Sequence, residues 1–243
     1  MGFPGTRGGG LRWAGAGTVA AAGWCAAVAA AVLTLLVALE WRPLVRYDGR
    51  IAVAWHAQAV AHPGLVSASR VLTDWVWDPW TMRAVLLTAC CWLWWRGERA
   101  LAVRFLLAMV VAAVVQQGVK LLVARERPVW PDPVDSADYA AYPSGHALTA
   151  TMVCGLLLWL VPRARADGGG AWVVWAAGAA AVLSVLGVGF TRIFLGVHWA
   201  SDVLGGWLLG AAIAALALSG QAGTARTGAR RSPASPSTDG PVR

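Results

Sequence analysis

The sequence contains few charged residues and none of the cysteine patterns that mark metal sites. Only 13% of its 243 residues are Asp, Glu, Lys or Arg, whereas a soluble domain usually has about a quarter. No Cys-x-x-Cys pair or Cys/His metal spacing occurs in the chain. Because all the cysteines lie in apolar runs, we interpret them as small buried hydrophobic residues. They are Cys25, Cys90, Cys91 and Cys154.

A basic stripe interleaved with aromatic residues, the usual feature of a nucleic-acid-binding surface, is also missing. The formal net charge is nevertheless +8. Many arginines flank apolar runs, where their side chains would meet lipid headgroups. We therefore expect a membrane bilayer, and no nucleic acid, as the partner of this chain.

Long apolar runs are abundant, and 58% of the residues are hydrophobic. Such runs predict membrane-spanning helices of about 20 residues, and tryptophans near several run ends are typical of an interfacial belt. We predict an all-α, polytopic membrane protein in which six transmembrane helices form a bundle. The predicted spans are about 18–39, 80–95, 101–119, 147–161, 171–190 and 203–218.

The remaining segments complete the predicted organisation. Residues 1–17 form a cytosolic N-terminal segment, and the apolar run after them is longer than a signal-peptide core, which predicts an uncleaved span. The six-span domain covers residues 18–219 and includes a less hydrophobic helix near the membrane surface at about 49–72. Residues 220–243 are rich in Gly, Ser, Pro, Thr and Arg, which predicts a disordered cytosolic tail.

Three short polar clusters interrupt the apolar background. Counting six spans places all three on the same membrane face, because spans four and five separate the loops that carry them. More than half of the 20 basic residues lie in the termini and loops of the other face. This bias predicts cytosolic termini and an active site on the extracytoplasmic face. The clusters are Lys120 with Arg127-Pro128, Pro143-Ser144-Gly145-His146, and Thr191-Arg192 with His198 and Asp202.

The first two clusters offer groups that suit a phosphate. Lys120 and Arg127 are seven residues apart, close to two helical turns, so a helix that continued through both would point them to one side. They supply a point charge and a planar fork of donors. Ser144 can cap the next helix, and Gly145 lets a ligand approach the free N–H groups there. His146 can donate a proton to a leaving oxygen.

The third cluster offers a nucleophile. His198 and Asp202 are spaced i,i+4, so their side chains are neighbours if the segment is helical. A carboxylate bonded to one imidazole nitrogen fixes the tautomer and leaves the other nitrogen free to attack phosphorus. Water would then hydrolyse the phosphohistidine, while Arg192 stabilises charge on the equatorial oxygens. Taken singly, the clusters have plainer explanations: a basic helix end at lipid headgroups, a helix start, and a structural His–Asp pair.

The order and spacing of the clusters resemble the signature of the type 2 phosphatidic acid phosphatase superfamily, which is Lys-x6-Arg-Pro, Pro-Ser-Gly-His and Ser-Arg-x5-His-x3-Asp. One position differs, since Thr191 stands where the family usually has Ser and keeps the hydroxyl. The resemblance covers roughly residues 47–218. It implies that His198 is the nucleophile, that Asp202 orients it and that His146 is the general acid. It also implies that no metal or other cofactor is needed, and that the phosphate is held by Lys120, Arg127, Ser144, Gly145 and Arg192.

The resemblance implies an integral-membrane phosphatase that hydrolyses a lipid phosphate or diphosphate through a phosphohistidine. Undecaprenyl or other polyprenyl diphosphates, phosphatidic acid and phosphatidylglycerol phosphate are the candidate substrates, with polyprenyl carriers slightly favoured. Transfer of the phosphoryl group to an acceptor other than water shares the same first step and stays open. A non-catalytic lipid-binding protein would be expected to lose His146 or His198. Vanadium haloperoxidases share the motifs, but they are soluble, and the apolar spans argue against them.

Overall fold

The structure, a computed structural model, describes residues 15–164 and 170–219, and most of these residues lie in helices. No strand occurs within those ranges, so the all-α prediction is confirmed. The predicted tail at 220–243 and all but the last residues of the predicted N-terminal segment lie outside the described residues. The helices are α1 Ala16–Ala38, α2 Arg42–Ala61, α3 Pro63–Val71, α4 Pro79–Trp95, α5 Arg99–Val123, α6 Gly145–Ala164, α7 Ala171–Phe194 and α8 Ala200–Ser219.

Several of these helices can cross a membrane, which confirms the polytopic architecture. The predicted second span corresponds to α4, which has 17 residues. At 1.5 Å per residue α4 is about 26 Å long, somewhat less than the ~30 Å hydrocarbon core. The count of six spans therefore stays a prediction. The helices that are long and apolar enough are Gly17–Ala38, Arg99–Val123, Gly145–Pro162, Ala171–Phe194 and Ala200–Ser219.

Glycines on α8 allow it to lie very close to α6. A methyl group added at Gly206 would come 2.6 Å from the carbonyl oxygen of Ser144, and one at Gly210 would come 2.5 Å from that of Leu148. Only glycine permits such an approach between helix backbones, as is common in membrane bundles. The contact brings together the N-terminal ends of α6 and α8, where the second polar cluster and the Asp202 end of the third cluster lie.

The predicted surface helix at about 49–72 is divided in the structure. α2 ends at Ala61 and α3 begins at Pro63, because proline lacks an N–H and its ring blocks continuation of the preceding helix. A π-helical turn, Leu72–Val76, follows α3 directly. α2 packs on α7 and α8, and its buried residues lie on one face, at Asp48, Ala52, His56 and Ala59. One side of α2 is thus part of the bundle.

Candidate active site

The three polar clusters meet at one end of the bundle. This end is formed by the C-terminal ends of α5 and α7, the N-terminal ends of α6 and α8, and the loops at 124–144 and 195–199. Arg127 lies 3.3 Å from His198, which joins the first cluster to the third. The Ser144 N–H donates to the carbonyl of Asp202 at 3.0 Å, which joins the second cluster to the third. Residues that are far apart in sequence therefore form one site.

His198 and Asp202 form a buried pair. The His198 Nδ1 lies 3.3 Å from Asp202 Oδ2, and both residues are buried. His198 itself lies outside a helix, because α8 begins only at Ala200. The i,i+4 contact survives because the Trp199 N–H also donates to Asp202 Oδ2, at 2.9 Å. The carboxylate thereby caps the start of its own helix and turns towards the imidazole.

The surroundings of His198 keep its imidazole neutral. Burial lowers the pKa of His198 well below its ordinary value, and the positive charges of Arg192, Arg127 and Lys120 lower it further. A carboxylate can only accept at this contact, so Nδ1 carries the proton and donates to Asp202 Oδ2, which leaves the lone pair on Nε2. The Arg127 Nη1 faces Nε2 at 3.3 Å. A neutral imidazole with its lone pair beside a cation is suited to attack an anionic phosphorus group.

Arg127 is held by the loop and not by a helix. The helical continuation that would point Lys120 and Arg127 to one side does not occur, because α5 ends at Val123 and Ala124 adopts a left-handed φ of 46°. Its Nε donates to the Tyr139 carbonyl at 2.9 Å, its Nη2 donates to the Asp138 carbonyl at 3.0 Å, and its Nη1 donates to the carbonyl of Val197. These carbonyls fix the guanidinium beside His198 without neutralising its charge.

Lys120 and Arg192 approach from the ends of α5 and α7. The buried Lys120 donates from Nζ to the carbonyl of Ala140. The buried Arg192 donates from Nη1 to Thr73 Oγ1 at 3.3 Å, while its Nε has no hydrogen-bond partner among the described residues. A buried guanidinium N–H usually has an acceptor, and an oxyanion supplies one.

Ser144, Gly145 and His146 lie at the start of α6. The expectation that Ser144 caps this helix was wrong, because its buried Oγ has no partner in the described part of the chain. Gly145 lies against the amide end of the Gln116 side chain, which a Cβ at this position would meet at 2.7 Å. His146 is hydrogen-bonded to the backbone of Thr73. Thr73 thus contacts both His146 and Arg192.

Three residues that the sequence motifs did not indicate take part in this arrangement. They are Thr73 in the π-helical turn, Asp48 on α2 and Arg125 in the loop. Arg125 Nη1 donates to Asp202 Oδ1 at 2.6 Å, and Nη2 donates to Asp48 Oδ2 at 2.7 Å. Arg125 lies inside the unspecified stretch of Lys-x6-Arg, so only its charge in a largely apolar region could have indicated it. Asp48 could have been noticed as one of only 12 acidic residues.

Trp130 fixes the loop that carries Arg125 and Arg127. Its ring stacks on His56 with centroids 4.0 Å apart, and its Nε1 donates to the Gly196 carbonyl at 3.0 Å. Gly196 has a φ of 70°, and a Cβ there would come 2.6 Å from Trp130 Nε1, so glycine is required. The loops at 124–144 and 195–199 are therefore joined directly.

Comparison with known proteins gives three similarities. Residues 101–224 match the family model described as the PAP2 superfamily. The chain is 29% identical over 163 residues to an undecaprenyl-diphosphatase of Sulfolobus acidocaldarius, covering 63% of this chain and 68% of that protein. It is also similar to the crystal structure of a transmembrane PAP2 type phosphatidylglycerolphosphate phosphatase from Bacillus subtilis, with a TM-score of 0.68 and 20% identity, over 84% of this chain and 98% of that one. The structural match shows a shared transmembrane fold.

Proposed function

The chain belongs to the PAP2 superfamily, and from that premise we propose that it is an integral-membrane phosphatase that hydrolyses a lipid phosphate or diphosphate through a phosphohistidine. The family match over residues 101–224 confirms the resemblance predicted from the motifs. The observation that carries the proposal is the geometry around His198. Its Nδ1 is 3.3 Å from Asp202, and its Nε2 faces Arg127 at 3.3 Å.

In the first step, His198 Nε2 attacks phosphorus and the bond to the leaving oxygen breaks. Asp202 stabilises the positive charge that develops on the imidazole. His146 donates a proton to the leaving oxygen, which departs as an alcohol or a phosphomonoester. The three equatorial oxygens carry most of the negative charge in the transition state. The groups proposed to bind them are Lys120, Arg127, Arg192, the Ser144 hydroxyl and the Gly145 N–H.

In the second step, water attacks the phosphohistidine. His146 has given up its proton and accepts one from this water, which restores its starting state. The nitrogen–phosphorus bond breaks, inorganic phosphate leaves, and His198 returns to the neutral imidazole. The Lys120, Arg127 and Arg192 cations supply the charge stabilisation, so the proposed reaction uses only side chains and water.

The position of the site favours a lipid substrate. Next to the buried Lys120, the apolar side chains of Leu121 and Leu122 are 82% and 86% exposed at the outer surface of α5. Such a surface beside a phosphate site suits a substrate whose tail stays in the bilayer. Since one relative is an undecaprenyl-diphosphatase and another is a phosphatidylglycerolphosphate phosphatase, we propose a polyprenyl diphosphate first and phosphatidylglycerol phosphate second.

Phosphate release from a panel of lipids tests this proposal. The purified protein in nanodiscs is given undecaprenyl diphosphate, phosphatidylglycerol phosphate and phosphatidic acid, and the products are analysed to separate hydrolysis from transfer. We expect release from at least one lipid and a loss of about 10⁴-fold or more for His198→Ala. The matched control is His62→Ala, because the exposed His62 bonds only the Gln58 carbonyl among described groups. Equal activity of wild type and His198→Ala would refute the proposal.

We also propose that the site opens on the extracytoplasmic face, as the distribution of basic residues predicts. In a variant without the native cysteines, Ser136→Cys lies in the exposed part of the site loop. Glu98→Cys lies in the exposed loop between α4 and α5, which the six-span arrangement places on the other face. A membrane-impermeant maleimide should label Ser136→Cys, and not Glu98→Cys, in intact cells. The reverse pattern would overturn the assignment.

A further inference from the structure

Arg125 joins two carboxylates that come from different parts of the fold. Asp48 belongs to α2 and Asp202 to α8, and both residues have 0% relative exposure. One guanidinium nitrogen of Arg125 lies 2.6 Å from Asp202 Oδ1, and the other lies 2.7 Å from Asp48 Oδ2. The guanidinium also lies over the Trp199 ring at 5.4 Å, which restricts its position further.

Ser201 completes this arrangement. Its backbone N–H donates to Asp48 Oδ1 at 2.9 Å, and its hydroxyl donates to Asp48 Oδ2. The same hydroxyl oxygen accepts from Arg125 Nη1 at 2.7 Å. Both oxygens of Asp48 are therefore bonded, as a buried carboxylate requires. Asp48 holds the first turn of α8, in which Asp202 is the next residue.

The two oxygens of Asp202 have separate tasks. Oδ1 accepts from Arg125, whereas Oδ2 accepts from the Trp199 N–H and faces His198 Nδ1. The bond from Arg125 fixes the plane of the carboxylate, so that Oδ2 points at the imidazole. A carboxylate that could rotate would orient His198 less well, which lowers the rate of attack.

Asp48 also offsets the positive charge of Arg125 while His198 reacts. Before attack, Asp48 and Asp202 carry two negative charges against one positive charge on Arg125. When His198 becomes cationic during attack, these four groups sum to zero. Without the charge of Asp48, the full charge of Arg125 would act on Asp202 and oppose formation of the imidazolium.

We propose that Asp48 and Arg125 are positioning residues for the nucleophile, which hold the Asp202 carboxylate in the orientation and charge state that His198 needs. This inference rests on the proposed phosphatase function. It assigns part of the active site to α2, which lies before residue 101, where the family match begins. It also distinguishes Arg125 from Arg127, which faces His198 directly.

A purely structural role, in which Asp48 only attaches α2 to the bundle, predicts different behaviour. Loss of such a contact lowers stability and affects binding and turnover alike. Loss of a positioning residue lowers kcat at nearly constant KM, because it destabilises the transition state and leaves the binding of the substrate unchanged. A positioning role also predicts that Asp48→Asn has little further effect once Asp202→Asn has removed the carboxylate on which it acts.

The test measures kcat, KM, the rate of phosphohistidine formation and the melting temperature of the full chain in nanodiscs. We expect Asp48→Asn to lower kcat about 10-fold and Arg125→Gln about 100-fold, with KM within about twofold, the range typical when a group that orients a reacting residue is lost. Arg125→Lys should recover about 10-fold of that loss. Thr88→Val is the control, since Thr88 bonds the Ala84 carbonyl of its own helix, α4, at 3.0 Å and has no bond to Asp48, Arg125 or Asp202 among the described residues.

The outcomes separate the explanations. Two results would overturn this inference and leave the phosphatase function intact. One is a wild-type kcat in both Asp48→Asn and Arg125→Lys. The other is an equal loss of kcat from Asp48→Asn in the presence and absence of Asp202→Asn. If Arg125→Gln does not fold, Asp48→Asn and Arg125→Lys decide. A wild type that releases no phosphate from any lipid of the panel would overturn the proposed function, and this inference with it.

Discussion

The helices before residue 101 and those after it contribute to the site in different ways. All eight residues predicted from the motifs lie on α5, α6, α7, α8 and their connecting loops, within the family match. The earlier helices add Asp48, which bonds Arg125, and Thr73, which bonds Arg192. The later part thus carries all the groups proposed to touch phosphate, together with Arg125, whereas the earlier part contributes supporting groups.

This difference explains why the earlier part has no compact motif. A group that binds phosphate must have a particular chemistry at a particular point, which restricts residue type and spacing. A supporting group has only to donate to or accept from its partner, and it can come from any element that packs nearby. Mutations in the earlier helices should therefore disturb the orientation of site residues, whereas mutations of the eight motif residues in the later part should remove groups that take part in the chemistry. Arg125 is the supporting residue of the later part.

Apart from His198→Ala, the largest loss of kcat is expected for His146→Ala in the later part of the chain, because this change removes the proposed general acid. Without the general acid, kcat for a lipid substrate should fall by about 10² to 10⁴-fold. An aryl phosphate with a good leaving group needs little protonation, so phosphohistidine should still form from it and then accumulate, because the base for the water step is missing. Quenched-flow trapping of the phosphorylated protein measures this. His198→Ala should trap nothing, and equal losses for both substrates would contradict the assigned role.

A smaller effect of a different kind is expected for Arg127→Gln. Because the neutral imidazole attacks, activity falls as pH drops through the pKa of His198, which burial and nearby cations lower. Removing one cation raises that pKa. The acid limb of the pH profile of kcat/KM should therefore move to higher pH by about one pH unit. The charged groups facing His198 are Asp202 on α8, Arg192 on α7, Lys120 on α5 and Arg127 in the loop, with His146 on α6.

The measurement compares kcat/KM of the variant and the wild type with the same substrate from about pH 4 to 8. Ionisation of the substrate phosphate then affects both profiles equally. Arg96→Gln is the control, since the exposed Arg96 stacks over Trp92 and does not act on His198. An unshifted acid limb in Arg127→Gln, despite lower activity, would show that the limb reports another group.

The sequence predicted the helical class and the family, for physical reasons. Long apolar runs permit little besides helices in a bilayer, and the spacing of the three motifs matches the PAP2 superfamily. The roles of the motif residues stay predictions. The local backbone around the clusters was less predictable. α5 extends to Val123, beyond the predicted span end at 119, and a left-handed residue at Ala124 then ends it before Arg127. Ala124 is not glycine, so composition offered no signal for this end. The start of α8 at Ala200 likewise leaves His198 outside the helix.

The supporting residues could not be predicted, because their roles depend on tertiary contacts. Asp48 and Arg125 are 77 positions apart, and nothing in either local pattern relates them. Asp48 directly precedes the segment at about 49–72 whose low hydrophobicity predicted a surface helix, whereas α2 includes Asp48 and buries the face that carries it against α7 and α8. An acidic residue on the buried face of an amphipathic helix is recognisable only once the partner of that face is known.

The smallest effect is expected for Thr73→Val in the earlier part of the chain. The change removes the hydroxyl that accepts from Arg192 Nη1 at 3.3 Å and keeps both the shape of the side chain and the backbone bond to His146. Arg192 would then be held less firmly, which weakens phosphate binding before and during attack alike. We expect KM to rise about fivefold with kcat nearly unchanged, equivalent to about 1 kcal/mol for one hydrogen bond.

Thr88→Val is the matched control, because Thr88 on α4 bonds only the Ala84 carbonyl of its own helix at 3.0 Å among described groups. Inhibition by inorganic phosphate supplies an independent readout, since its Ki should rise with KM if Thr73 acts through the phosphate site. A fall in kcat at constant KM would instead mean that Thr73 acts mainly through His146. Thr73 would then support the proton transfer, and the earlier helices would influence the chemical step more directly than their contacts with Arg192 imply.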